Sequence, residues 1–498
     1  MKLLSLFRVL IVSSQASAID KNLQAATCSA ANAKEYASHR TALLSEMKGA
    51  SLIDEKSDRV AKAVKDFDQT NETNGGRAAW KFLKKLSSSP LFVSQFWQSK
   101  PLLIRSSEIK DITNQEMNWV DGSFTVARDL RLVDGSYISG SRTDDILRNG
   151  IKTDTWAFRP IKDDPARRTT WAEVSDALEG GTIYFNSAGS FWPALGALCR
   201  LTNYAFGLPT AVNIYITPPG STISVPPHTD RQDVLIFQTE GSKRWRVYNP
   251  PKRVKAKDPL NRGKGGDVIE QSDLGVPLLD VVLRRGDVMY LPAGFPHTTD
   301  TVTVVEDETV PVEEGVGKGR FDETSVHLTL GLDTHVWALT YAHIRWTVLQ
   351  RCGMDWKVEI KNDADYWDSM RAIPIGFLSG ADSNGVDMDM AIEEVKRVLV
   401  RLEPKRWKKE ALPSDDNIRE VLNYMLKDHL ETLMGIQEEM YSDVVPRDEN
   451  TIIKGYQCTQ KQDAVMQRYG AFSNNDAMTN AFEQRRLERE KKASDILK

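Results

Sequence analysis

The residues best suited to chemistry in this chain stand one position apart. His228 and Asp230 lie in the stretch PPHTDRQDVLIFQTEGSKRWRVYNPP, Pro226 to Pro251. The 498 residues include only seven histidines, so few partners need testing. Side chains alternate along a strand, so an H-x-D pair points to one side and can fill two adjacent positions around a metal. A third ligand must then come from another strand. His297, just past the strand-like run VMYLPAG and the residues Phe295-Pro296, is placed to supply it. Two imidazoles and one carboxylate make a facial triad, which leaves the opposite face of an octahedral ion open to three exogenous ligands. Alone, H-x-D reads equally as a solvated pair of loop polars before a strand. His297 tips the reading towards a metal site, with His228, Asp230 and His297 as ligands and catalytic centre.

The elements that must hold these residues are strands. From about 210 to 335 short β-rich runs alternate with turn signals: AVNIYITPPGS, DVLIFQTEGSKRWRVYNPP, VVLRRGDVMYLPAGFPH and SVHLTLGLDT. Runs at this spacing without helical patterns between them predict an all-β sandwich or barrel. The strand Val234–Gln238 should turn at Glu240-Gly241-Ser242 and return from Lys243, with glycine supplying the turn geometry. Period two places Asn213 and Tyr215 on one face of their strand, and His327, Thr329 and Gly331 on one face of the last. An acidic, glycine-containing insert, roughly Glu306 to Glu323, reads as a long surface loop.

Flanking these strands the texture is helical. Residues 36–47 carry helical spacing, QTNETNGG reads as a loop, and Leu91, Phe92, Phe96 and Trp97 suit a short amphipathic helix closed by Pro101. PLLIR follows as a first buried strand. After 336, IRWTVLQRCG and AIEEVKRVLVRL are helical candidates. NIREVLNYMLKDHLETLMG places Ile418, Val421, Leu422, Met425, Leu426 and Leu433 on one face. The final FEQRRLEREKKASDILK reads as a charged, solvated helix or tail.

Bulk properties narrow the class. A hydrophobic content of 41%, a charged content of 27% and a net charge of −4 describe a globular chain without a global basic footprint for nucleic acid. Four scattered cysteines, with no C-x-x-C, argue against a structural zinc site or a disulfide framework. No segment reaches the ~18 apolar residues of a membrane span. The leader MKLLSLFRVLIVSSQASA fits a secretory signal ending at Ala16-Ser17-Ala18. It also fits an organellar transit peptide, or neither, because Arg8 interrupts the apolar run. Asn71-Glu72-Thr73 is a glycosylation sequon only if the chain is secreted.

Five segments, FWQSKPLLIR, NIYITPPGS, PPHTDRQDVLIFQTEGSKRWRVYNP, GDVMYLPAGFPH and SVHLTLGL, together resemble the JmjC Fe(II)/2-oxoglutarate oxygenases. Within them the likeness is to the ribosomal-oxygenase branch, which includes bifunctional lysine-specific demethylases and histidyl-hydroxylases. The resemblance covers roughly residues 80 to 335. It implies that His228, Asp230 and His297 hold Fe(II) and that Lys243 pairs with the far carboxylate of 2-oxoglutarate, for which a cation is well suited. It also implies that Asn213 contacts the co-substrate. Tyr215 shares that face, as a pocket residue or a satisfied core tyrosine. Gly331 stands where the family usually has a serine hydroxyl, and His327 or Thr329 could compensate from the same face; His327 reads equally as a satisfied interior histidine.

The expected architecture is therefore α+β: a double-stranded β-helix (cupin/JmjC) barrel with flanking helices and a C-terminal helical domain. Its expected divisions are a targeting leader at 1–18, a polar helical linker at 19–75, the oxygenase domain with its helical lead-in at 76–335, and a helical region at 336–498. In the resembling family that last region holds a dimerisation bundle and a winged-helix-like module. The expected activity is an Fe(II)- and 2-oxoglutarate-dependent dioxygenase that uses O2 to hydroxylate a protein side chain or to demethylate N-methyl-lysine. By resemblance the partner is a ribosomal protein or histone, a homodimer forms through the C-terminal helices, and the location is the nucleus or nucleolus. The leader points instead to a lumen or organelle. The alternative is a catalytically weak or inactive cupin used as a protein-binding module.

Overall fold

The computed structural model describes residues 33–50, 57–71, 75–143, 156–158, 166–249 (except 223 and 231), 269, 272, 274–302, 323–333, 341–355, 386–442, 454 and 457. The leader, most of the 306–323 insert, the linker positions Glu72 and Thr73, and the charged tail lie outside the described residues.

The chain enters through helices α1 (residues 33–49), α2 (Asp58–Asn71), α3 (Gly76–Ser88) and α4 (Pro90–Gln95). The last begins as its sequence dictates. Ser89 accepts the Phe92 N–H at 3.0 Å, and Pro90 occupies the first turn, where no amide hydrogen is needed. Strand β1 (Leu102–Ile104) and helix α5 (Ser106–Thr113) follow. Next come β2 (Gly140–Arg142), β3 (Trp156–Phe158), α6 (Trp171–Glu179), β4 (Ile183–Phe185) and α7 (Pro193–Phe206). Every residue of α7 from Ala194 to Phe206 is buried, as expected of a helix surrounded on all sides. It packs against α2, α3, the strand Thr210–Thr217 and the helix Asp415–Tyr441.

The β-rich half holds β5 (Thr210–Thr217), β6 (Val225–His228), β7 (Asp233–Glu240), β8 (Ser242–Val247), β9 (Leu279–Arg284), β10 (Val288–Leu291), β11 (His297–Asp300) and β12 (Ser325–Leu332). Helices α8 (Tyr341–Arg351), α9 (Val386–Leu402) and α10 (Asp415–Tyr441) close the described chain. Among the described residues no helix is long and apolar enough to cross a membrane.

The strands form two antiparallel sheets, of order β1-β10-β7-β12-β5-β4-β2-β3 and β6-β11-β8-β9. This corrects the expected barrel. Closure requires every strand to have two paired neighbours, yet β1, β3, β6 and β9 are edges among the described residues. The sheets are open layers packed face to face. Val234, Ile236, Met289 and Leu291 of the large sheet meet Trp245, Val247 and Leu283 of the small one in a common cluster. The other face of the large sheet, with Val212, Ile214, Leu235, Phe237, Leu328 and Leu330, is covered by the helices. Both faces of β7 are thus buried, which explains its unbroken apolar run.

Candidate metal centre

His228 ends β6 and His297 begins β11, and the two are direct register partners across the antiparallel pair. Such pairing brings Cβ atoms to about 5 Å, and the ring centroids stand 4.3 Å apart. Asp230 follows two residues after His228. Its Oδ1 lies 3.9 Å from His228 Nε2, and its Oδ2 lies 3.7 Å from His297 Nε2. Among the described residues these three side chains form a group whose ligand atoms all lie within 4.8 Å of one another. First-row divalent ions bind nitrogen and oxygen at about 2.0–2.2 Å, so adjacent ligands end about 3 Å apart. Each Asp230–histidine separation would need to shorten by about 1 Å or less to close on an ion, and the His2Asp composition suits Fe(II) with three open positions.

Backbone and buried side chains orient the ligands. His297 Nδ1 lies 3.1 Å from the Phe295 carbonyl oxygen. A carbonyl can only accept, so the ring proton sits on Nδ1 and Nε2 presents its lone pair to the centre. The Gly294 N–H donates to the Asp230 carbonyl at 3.0 Å, tying the H-x-D segment to the loop that delivers His297. Asp233, fully buried at the start of β7, accepts the Ala293 N–H at 2.9 Å and the Tyr290 hydroxyl. The two halves of the centre are therefore joined through one carboxylate.

The triad opens into a cleft also lined by Tyr215, Ile236, Trp245, Thr299, His327 and Thr329. Tyr184, Tyr215 and His327 stack in succession, with centroids 5.5 and 5.0 Å apart, and Trp245 meets His327 edge-on at 5.3 Å. Of the residues singled out from sequence, Tyr215, His327 and Thr329 thus share a cleft with the triad. Asn213, two residues before Tyr215 on β5, accepts the Ser187 N–H through its Oδ1 at 2.9 Å. Lys243 is fully buried beyond Trp245 on the same face of β8, and its Nζ donates to Thr217 Oγ1 at 2.7 Å across the two sheets. Burial pulls the Lys243 ammonium down from its ordinary range to about 7, with the Asp300 carboxylate acting in the opposite direction. At Gly331 a Cβ would stand 2.4 Å from Gln232 Oε1, so the carboxamide of Gln232 occupies the space a serine would need. Trp245 was not singled out from sequence, though counting two residues on from Lys243 places it on the same face.

The JmjC domain family matches residues 197–312, a span that contains all three triad residues. The chain is similar to ribosomal oxygenase 1 of Danio rerio, at 29% identity over 214 residues, 42% of this chain and 35% of that protein. It is similar to the bifunctional lysine-specific demethylase and histidyl-hydroxylase NO66 of Drosophila erecta, at 26% over 282 residues, 55% of this chain and 36% of that one. Against the Drosophila mojavensis protein of the same description, identity is 37% over 123 residues, 25% of this chain and 13% of that one. The chain thus spans about a third of the length of the relatives it first matches. Among solved structures, Escherichia coli ycfD is 17% identical, with 72% of each chain covered and a TM-score of 0.31.

Proposed function

For a chain carrying a JmjC domain homologous to those of the ribosomal oxygenases, we propose an Fe(II)- and 2-oxoglutarate-dependent oxygenase that hydroxylates a side chain of a protein. The observation that carries this reading is the convergence of His228 Nε2, His297 Nε2 and the Asp230 carboxylate at one end of a cleft. Bound Fe(II) would supply the oxidising chemistry in which 2-oxoglutarate and O2 become succinate and CO2 while one oxygen atom enters a C–H bond of the substrate. The chain's own part is to position and to exclude. His228, Asp230 and His297 hold the ion by one face. Lys243, buried and cationic below its shifted pKa, pairs with the far carboxylate of the co-substrate. The aromatic wall of Tyr215, His327 and Trp245 keeps bulk water from that pair. A histidine of a ribosomal protein is the favoured target, by likeness to a ribosomal oxygenase and to a histidyl-hydroxylase. Removal of an N-methyl group from lysine would use the same chemistry up to hydroxylation.

The test is to incubate the protein with Fe(II), ascorbate, 2-oxoglutarate and acid-extracted ribosomal proteins, following succinate and intact protein masses. Wild type should release succinate and add 16 Da to a component of the pool. His228→Ala and Asp230→Ala should do neither. Failure of wild type to yield both products, with this pool and with histones, overturns the reading.

A further inference from the structure

On the inner face of the small sheet, side chains fall into rows set by the register. The first row is His228, His297 and Val247, with the metal ligands on adjacent strands. The second row is Val225, Thr299 and Trp245. The third holds Lys243, two residues from Trp245 along β8. Along β8 and β11 successive rows are two residues apart, about 7 Å, while β6 keeps pace through a register shift between His228 and Val225. A dicarboxylate held by a metal at the first row and by an ammonium reaching up from the third must pass over the second.

That second row carries two polar atoms, Trp245 Nε1 and Thr299 Oγ1, with no hydrogen-bond partner among the described residues. Both residues are over nine-tenths buried, at 3% and 4% exposure, and both line the cleft. Buried N–H and O–H groups are nearly always satisfied, and one left without a partner costs roughly 1–3 kcal/mol. Two such donors side by side on paired strands, between a metal triad and a buried lysine, describe a site awaiting acceptors.

We propose that Trp245 Nε1–H and Thr299 Oγ1–H form a second anchoring point for the co-substrate, donating hydrogen bonds to 2-oxo-dicarboxylate oxygens between the metal and Lys243. The inference rests on the oxygenase reading and adds two positioning residues to it. The stacking of Trp245 on His297, with centroids 5.7 Å apart, extends its role, because the indole that binds co-substrate also buttresses a metal ligand.

The test is binding, not turnover. Protein loaded with Mn(II) is titrated calorimetrically with 2-oxoglutarate, and Mn(II) affinity is measured separately. Thr299→Val, which keeps the shape and loses the hydroxyl, should weaken 2-oxoglutarate binding about 10-fold, as expected for a hydrogen bond to a charged acceptor. Thr299→Ser should bind as wild type does, Mn(II) affinity should be unchanged in both, and Thr299→Val, which removes an unpartnered buried hydroxyl, should melt no lower than wild type. In ¹⁵N-indole spectra of Zn(II)-loaded protein, the resonance missing from Trp245→Phe should move downfield when 2-oxoglutarate is added. Wild-type binding that Thr299→Val leaves intact, or a Trp245 indole that does not move, overturns this inference alone. Absence of 2-oxoglutarate binding by metal-loaded wild type overturns the oxygenase reading and the inference with it.

Discussion

At the scale of single residues, Lys243 is the group whose chemistry is most altered by where the fold puts it. Its ammonium is fully buried, bonded to Thr217 Oγ1, and titrates near 7 instead of in the ordinary lysine range. Only the protonated form can pair with a carboxylate. Below pH 7 the free protein already holds that proton; above it, each molecule of co-substrate must bring one in. The affinity of Mn(II)-loaded protein for 2-oxoglutarate should therefore weaken by up to about tenfold per pH unit above 7, with proton uptake detectable by calorimetry in buffers of different ionisation enthalpy. Lys243→Met should bind more weakly at pH 7 and lose the slope. The same shift acts on folding in the opposite sense. The folded pKa lies below the unfolded one, so the unfolded chain holds more protons between about pH 7 and 10.4. This residue's contribution to stability accordingly rises with pH through that window. A flat binding profile in wild type would show that Lys243 is not the co-substrate's anchor.

At the scale of elements, two glycines separate a backbone requirement from a side-chain accommodation. Gly241 turns the β7–β8 hairpin at φ +60, and a Cβ there would stand 2.5 Å from the Thr324 carbonyl oxygen. Neither the angle nor the neighbouring backbone can give, so Gly241→Ala should cost about 1–3 kcal/mol. It should also weaken 2-oxoglutarate binding, because the hairpin carries Lys243. Gly331 meets only the far end of Gln232, which can swing aside, so Gly331→Ser should cost under about 1 kcal/mol. Urea midpoints of the two variants would reverse this order if the Gln232 carboxamide were as fixed as backbone. The hairpin was legible in the sequence, because DVLIFQTEGSKRW combines period-two patterning with a glycine turn. The H-x-D pair and its distant histidine were legible for the same reason, as strand residues with defined faces. Strands β2, β3 and β4 were not: three residues each are too few to show a period. Their addition makes the large sheet eight strands wide. The capture of Asn213 by the Ser187 amide was hidden too, since that partner is placed by tertiary packing and not by any local pattern.

At the scale of the whole molecule, three helices of the cover are joined through one buried cation. Arg200 on α7 is 1% exposed and donates to Asp66 of α2 at 2.6 Å and to Glu438 of α10 at 3.0 Å. Tyr204, one turn on, donates its hydroxyl to the same Glu438. The end of α10 also touches the sheet directly, with the Tyr441 hydroxyl donating to the Thr210 carbonyl at 2.7 Å. Ile418, Val421 and Leu422, half of the apolar stripe read along this helix, are buried in this chain's own core. Met425, Leu426 and Leu433 fall where side chains are not described. The energetics of the Arg200 cluster are asymmetric. Glu438 and Asp66 keep 25% and 32% of their side-chain surface exposed and can rehydrate if the guanidinium is lost, whereas Arg200 cannot. Truncating the carboxylate leaves a buried charge half-compensated, which is the costly way to break such a pair. Glu438→Ala should therefore lower unfolding free energy by about 3 kcal/mol. Arg200→Met, an apolar chain of similar length in an apolar helix, should cost less. Neither should change the affinity of the metal-loaded protein for 2-oxoglutarate, because the cluster lies on the helical side of the large sheet and the cleft on the other. Urea denaturation monitored by tryptophan fluorescence gives the order of the two variants. A larger loss in Arg200→Met would mean that the cation holds the three helices together through attraction and not merely because it cannot be left alone.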